Sequence, residues 1–182
     1  GTPLDIRDAP WTVLVPSYVT ETSGVTCSGT VLDATHVVTA AHCVYDPDFQ
    51  EVVAPTDVTV TAGTTHLNGT GGTVAHVSAV SVYHAYNPDR ATGDAAILTL
   101  STPITPNGTT IQAIDLTDVG WRPTDGATPL QLSGWGLTAA RAPWWWTCAR
   151  ATPRAARGRS PPSGRRDCAS WAASTTSSAS TR

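Results

Sequence analysis

Two side chains in this sequence have the type and surroundings for proton-transfer chemistry. His42 lies in Val37-Val38-Thr39-Ala40-Ala41-His42-Cys43, directly after a short β-branched run. An imidazole titrates near neutrality, so a fixed one can take a proton from a weak nucleophile and return it to a leaving group. Cys27 lies sixteen residues before Cys43, in Cys27-Ser28-Gly29-Thr30. A disulfide between the two would pin the turn that carries His42. Pinning matters because misplacing a catalytic group by about 1 Å can cost roughly 10²-fold in rate. Asp94 follows His42 by 52 residues and opens the apolar run Ala95-Ala96-Ile97-Leu98-Thr99-Leu100. A carboxylate at a strand start can be buried while its main chain stays paired, and it can hold a facing imidazole in one tautomer. Taken singly, each residue has a plainer role: a half-buried histidine beside a disulfide, or an aspartate in a turn.

The elements that must position these groups read as strands. Trp11–Val15, Gly24–Leu32, His36–Ala40, Val58–Ala62, Val74–Val82, Ala95–Leu100 and Leu130–Ser133 are short β-branched runs separated by Gly, Pro, Asn, Asp and Thr clusters. That spacing predicts an all-β antiparallel barrel or sandwich. Thr56-Asp57-Val58-Thr59-Val60-Thr61 alternates polar and apolar residues, as a half-buried strand does. Asn68-Gly69 and Asn107-Gly108 mark turns. Sustained helical periodicity is missing, and Ala40–Tyr45 has room for one helical turn.

Composition divides the chain near Ala140. Residues 1–140 carry thirteen acidic side chains against Arg7, Arg90 and Arg122, a net of −10. Residues 141–182 carry eight arginines against Asp167, a net of +7. The second segment has no Val, Ile, Leu, Phe or Tyr, and its large apolar residues are Trp144, Trp145, Trp146 and Trp171. Without branched and aromatic residues it cannot supply strands or a core, so it is expected to be mostly disordered. The expected division is therefore a domain over 1–140 and an Arg/Ala/Ser/Pro-rich tail over 141–182. Four cysteines, with one close pair, fit an oxidising, secreted setting. No apolar stretch approaches the roughly 18–20 residues of a membrane span, and no signal peptide is recognised.

The string Thr39-Ala40-Ala41-His42-Cys43 resembles the histidine motif of the chymotrypsin/trypsin-like serine proteases, of the bacterial, secreted type. Asp94-Ala95-Ala96-Ile97-Leu98 resembles that family's Asp-Ile-Ala-Leu-Leu segment, and Tyr83-His84-Ala85-Tyr86-Asn87-Pro88 resembles the lead-in to it. Ser133-Gly134-Trp135-Gly136 resembles the Gly-Trp-Gly signature at the start of the second barrel. The resemblance covers about residues 1–138. It implies a trypsin-like antiparallel β-barrel over about residues 10–120, tied by Cys27–Cys43, with the second barrel incomplete. It implies His42 as the base and Asp94 as its orienting carboxylate, with His84 a loop residue.

Two departures bear on activity. The family's mature chain begins Ile-Val-Gly-Gly, and Gly1 matches the final glycine of that motif, so the activating ammonium is expected to be missing. The nucleophile motif Gly-Asp-Ser-Gly-Gly does not occur, and none of Ser160, Ser163 and Ser170 has the glycines on both sides that a tight nucleophile turn calls for. Trp144-Trp145-Trp146 and the gain of arginine suggest a truncated or frame-shifted C-terminal half, which resequencing would test. The resemblance thus implies a serine endopeptidase by family, with this chain inactive; a non-catalytic homologue acting as a binding module is the alternative. Protein or peptide is the expected partner, with no nucleic acid, no membrane and some self-association through an exposed barrel face. No cofactor or metal is expected, and Asp46, Asp48 and Glu51 read as a solvated acidic loop.

Overall fold

A computed structural model describes residues 2–20, 23–116, 131–135 and 173–174. Ten strands are present among them: β1 (Thr12–Thr20), β2 (Ser23–Val31), β3 (His36–Thr39), β4 (Tyr45–Asp46), β5 (Glu51–Val52), β6 (Thr59–Ala62), β7 (Thr73–Val82), β8 (Ala96–Leu100), β9 (Gln131–Leu132) and β10 (Ala173–Ser174). Single 3₁₀ turns at Ile6–Asp8, Ala41–Cys43 and Pro55–Asp57 complete the described elements. The fold is all-β, and β1-β2-β3-β8-β7-β6 form a closed antiparallel barrel.

Strand after strand, the barrel interior is valine. Val13, Val15, Val31, Val37, Val44, Val58 and Val60 are fully buried, with Leu98 and Ile104. β-branched side chains suit a pleated, packed surface and lose little χ1 freedom there. The turn-and-strand expectations from sequence match these elements, and the turn glycines Gly69 and Gly108 have φ of 75° and 73°. β1 runs further than expected, through Pro16. Its pairing with β6 is confined to Val13 and Leu14, with a separate bridge Ser17↔Val58. Pro16, which has no amide to donate, falls in the gap between these contacts.

Two expectations are corrected. The acidic loop contains the two-residue ribbon β4–β5, with Tyr45↔Val52 and Asp46↔Glu51 in register. Asp46 is not solvated: it is 5% exposed. Its carboxylate accepts the backbone N–H groups of Asp48 (2.8 Å) and Phe49 (3.2 Å), which replace the water it gives up.

Outside the barrel, β9 and β10 form a two-stranded ribbon, in register Ala173↔Leu132 and Ser174↔Gln131. β10 is a short paired exception within the segment expected to be mostly disordered; the remainder of 141–182 lies outside the described residues. Ser133 and Trp135 dock on the outer face of β1–β2. Thr12 Oγ1 and Ser133 Oγ share a hydrogen bond of 2.6 Å, and Trp135 N–H donates to Ser28 Oγ at 2.8 Å. The indole Nε1 donates to Thr65 O at 3.2 Å, and its ring packs with Ile6 and Leu14. A Cβ at Gly134 would sit 2.8 Å from Ser28 Oγ, so a larger residue there would have to displace the acceptor of the Trp135 amide.

Candidate active site

β3 and β8 are neighbours and antiparallel, with Thr39↔Ala96 as their last pair. The exit of β3 therefore lies beside the entry of β8. His42 follows Thr39 by one tight turn, and Asp94 precedes Ala96 by two residues. This register brings together two residues that are 52 positions apart.

The 3₁₀ turn Ala41–Cys43 is closed by Cys43 N–H to Ala40 O (3.2 Å) and Val44 N–H to Ala41 O (3.0 Å). The Cys27–Cys43 disulfide ties this turn to β2, with Cα atoms 6.1 Å apart, and both cysteines are buried. On the opposite side Gly93 turns the chain into β8 with φ of 65°. A Cβ there would lie 2.6 Å from Ala85 O, so the turn that delivers Asp94 needs glycine.

One carboxylate holds the imidazole twice. His42 N–H donates to Asp94 Oδ1 at 2.9 Å, and His42 Nδ1 meets Asp94 Oδ2 at 2.7 Å. An ionised carboxylate only accepts, so Nδ1 carries a proton, and in the neutral ring Nε2 keeps its lone pair. The main-chain bond locks the carboxylate; the side-chain bond locks the ring. Both side chains are partly buried, at 29% and 22% exposure. That leaves the pair reachable while shielding it from much of the solvent screening. Tyr86 lies beside it, edge-on to Tyr45 with ring centroids 5.4 Å apart. Burial pushes the Tyr86 phenol up, and the charge of Asp94 adds to the shift.

The expected site residues His42, Asp94, Cys27 and Cys43 thus meet at one rim of the barrel. His84 is in a turn, exposed, with its ring 4.6 Å from that of Tyr83. A second aspartate–histidine pair escaped the sequence reading. Asp33 accepts from Thr35 N–H (2.7 Å) and His36 N–H (2.9 Å), and His36 Nδ1 lies 2.9 Å from Asp33 Oδ2. The string Asp33-Ala34-Thr35-His36 between two strands is the signal, since an aspartate with its acceptor two and three residues from free amides closes a turn. In the disulfide form Cys27 and Cys43 are not thiolate donors, and Asp46 Oδ1 accepts two backbone amides.

A partly buried carboxylate holds a histidine at the rim of a closed six-stranded antiparallel barrel. The family model described as Trypsin matches residues 1–165, running past Ala140 into the arginine-rich segment. This chain belongs to the trypsin family. A trypsin of Saccharopolyspora erythraea is 34% identical over 140 residues, covering 76% of this chain and 55% of that protein. Trypsin zeta of Drosophila erecta is 36% identical over 113 residues, covering 62% of this chain and 37% of that protein. Among solved structures, the scabies mite inactivated protease paralogue S-I1 superposes with a TM-score of 0.70 at 32% identity, covering 84% of this chain and 64% of that one. The chain spans between 37% and 55% of the length of these two trypsins.

Proposed function

We propose that the chain carries the histidine–aspartate half of a trypsin-like endopeptidase site, built to act on protein or peptide, and that the 182-residue polypeptide does not itself turn over peptides. The double hold of Asp94 on His42 carries this reading. In an intact site of this kind, Nε2 takes the proton of a serine hydroxyl as its oxygen attacks the scissile carbonyl. The same proton then passes to the leaving amine, and the carboxylate stabilises the imidazolium in between. No Gly-Asp-Ser-Gly-Gly stands in the sequence to supply that hydroxyl. Removing the nucleophile from such a site costs about 10⁶-fold in rate, which corresponds to roughly 8 kcal/mol of barrier. The remaining pair cannot offset that.

A fluorophosphonate probe tests the inactive reading directly. No covalent adduct is expected by intact mass. An adduct mapping to any serine of this chain would overturn it.

The second reading, a scaffold retained for binding, draws on the S-D1 and S-I1 structures, both described as inactivated protease paralogues, at 26% and 32% identity. It predicts saturable capture of unmodified protein substrate by unlabelled chain, and calorimetry without binding heat would remove it. A secreted setting is supported by the disulfide. None of the described helical segments is long and apolar enough to cross a membrane. Self-association is proposed through an exposed face of the barrel, whose strands β1 and β7 leave Tyr18 and Val74 at 62% and 58% exposure. Sedimentation velocity should show dimer at micromolar concentration; a monomer throughout would count against it. No nucleic-acid partner is proposed for the arginine-rich segment.

A further inference from the structure

Two Asn-Gly turns stand in this chain, and the fold treats them differently. Asn68 and Asn107 are both exposed, and the glycines after them have φ of 75° and 73°. In such a pair the glycine nitrogen can attack the preceding side-chain carbonyl, because no Cβ obstructs the approach. The third asparagine, Asn87, precedes Pro88, whose nitrogen has no proton to lose.

At Asn107 the side-chain oxygen sits in a nest of donors. Oδ1 accepts the backbone N–H groups of Thr109 (3.0 Å), Thr110 (2.8 Å) and Ile111 (3.0 Å), and the Thr109 hydroxyl at 3.2 Å. Attack on Cγ turns that oxygen into an oxyanion, and fixed amides at this distance are what stabilises one. The nucleophile is also unencumbered. Gly108 N–H has no hydrogen-bond partner among the described residues, and a Cβ on Gly108 would meet nothing within 4 Å, so solvent reaches the turn. Thr110 Oγ1, which accepts from Nδ2 at 2.8 Å, can return a proton as that nitrogen becomes an amine. Asn68 lacks these features. Its Oδ1 accepts one backbone amide, Thr70 N–H at 3.1 Å, and Gly69 N–H is bonded to His66 O at 2.9 Å.

We propose that Asn107 is a self-modifying site, which the loop converts to aspartate with water as co-reactant. Gly108 N gives its proton to solvent and bonds to Cγ. The Cγ–Nδ2 bond then breaks, and Nδ2 takes a proton and leaves as ammonia. Water opens the resulting cyclic imide. Opening at Cγ breaks its bond to Gly108 N, which regains a proton, and leaves aspartate. Opening at the main-chain carbonyl leaves isoaspartate. One water is consumed, one ammonia is released, and no electrons change hands. The nest favours aspartate twice. Its donors face the oxygen on Cγ, and afterwards they hold a carboxylate, the charged form that such amides stabilise. Isoaspartate would add a methylene to the main chain of a loop that Asn107 N–H closes on Ile111 O at 3.0 Å. No residue of the histidine–aspartate pair takes part, so the site stands or falls apart from the peptidase reading.

Full-length chain is incubated in ¹⁸O-water at neutral pH, folded and in concentrated urea, then cleaved after Arg90 and Arg141. The fragment 91–141 has Asn107 as its single asparagine, and mass spectrometry reads its conversion and ¹⁸O uptake. Electron-transfer fragmentation separates aspartate from isoaspartate. Asn107 is expected to convert about tenfold faster folded than in urea, equivalent to about 1.4 kcal/mol of barrier, with aspartate in excess. Asn68 in the folded chain should lag behind it. Thr109→Val, which removes the hydroxyl donor at an exposed position, should slow the folded reaction and leave the urea rate unchanged. The proposal is overturned if Asn107 converts no faster folded than in urea, or if Asn68 keeps pace with it in the folded chain. It is equally overturned if isoaspartate predominates at Asn107 in the folded chain, or if Thr109→Val leaves the folded rate unchanged.

Discussion

Asp33–His36 and Asp94–His42 pair the same two side chains at nearly the same distance, 2.9 Å and 2.7 Å, yet they are different objects. Asp33 and His36 are three residues apart in the turn from β2 to β3, and their side chains are 57% and 42% exposed. The carboxylate serves the turn first: the Thr35 amide is the largest cause of its lowered pKa, and the His36 ring comes second. Asp94 and His42 are 52 residues apart, less exposed, and braced by a disulfide on one side and a glycine turn on the other. The comparison teaches that an aspartate–histidine contact is common chemistry. What makes one of them a candidate base is long-range bracing and partial burial, because both fix the ring and weaken solvent screening.

The largest perturbation of this contrast is loss of the disulfide. Replacing Cys27 and Cys43 together by serine should cost about 2–5 kcal/mol of stability, measured by urea unfolding. The Asp33–His36 pair should keep its ring shifts in that variant while the His42 signals broaden. Equal disturbance of both rings would break the distinction.

Next comes Asp94→Asn, expected to cost about 1–3 kcal/mol, since it weakens two charge-assisted hydrogen bonds at a partly buried position. Its sharper readout is the tautomer. An asparagine amide facing Nδ1 can donate to it, so the His42 proton should move to Nε2, visible in ¹⁵N shifts of the ring. Asp33→Asn should leave the His42 tautomer untouched.

The smallest effect is the acid limb. Asp33 is held down to about 2, first by the Thr35 amide and then by His36. A carboxyl depressed on folding stabilises the fold above its unfolded value of 3.8 and loses that contribution as pH falls through about 2. Asp5, held down to about 2 chiefly by the Arg7 side chain, acts in the same window. In an Asp5→Asn background, Asp33→Asn should therefore flatten the stability profile between about pH 4 and 2. An unchanged slope there would show that the turn does not hold the carboxylate in solution.

Most strands were legible because their signal is local. Val58–Ala62 and Val74–Val82 alternate or branch along their own length, and β6 and β7 appear where those runs stand. β4 and β5 were not legible, because two-residue strands have no period to detect. The burial of Asp46 was hidden for a related reason. Its partners are the backbone amides of Asp48 and Phe49, and amides leave no trace in residue type. The docking of Trp135 was visible only as a motif. That its indole reaches Thr65 and its amide reaches Ser28 follows from how the chain folds back, not from the residues beside it.

By itself the sequence determined the inventory: one histidine beside a cysteine, one aspartate at a strand mouth, a second cysteine sixteen residues upstream, and no Gly-Asp-Ser-Gly-Gly. These are matters of residue type and short-range order. Tertiary structure decided that β3 and β8 are neighbours, and in the register Thr39↔Ala96. Strand pairing is non-local, and register follows from which faces can be buried, since a slip of one residue turns every side chain to the other side. Only that packing choice places Nδ1 of His42 at 2.7 Å from Asp94 and a sulfur at 3.5 Å from Nε2.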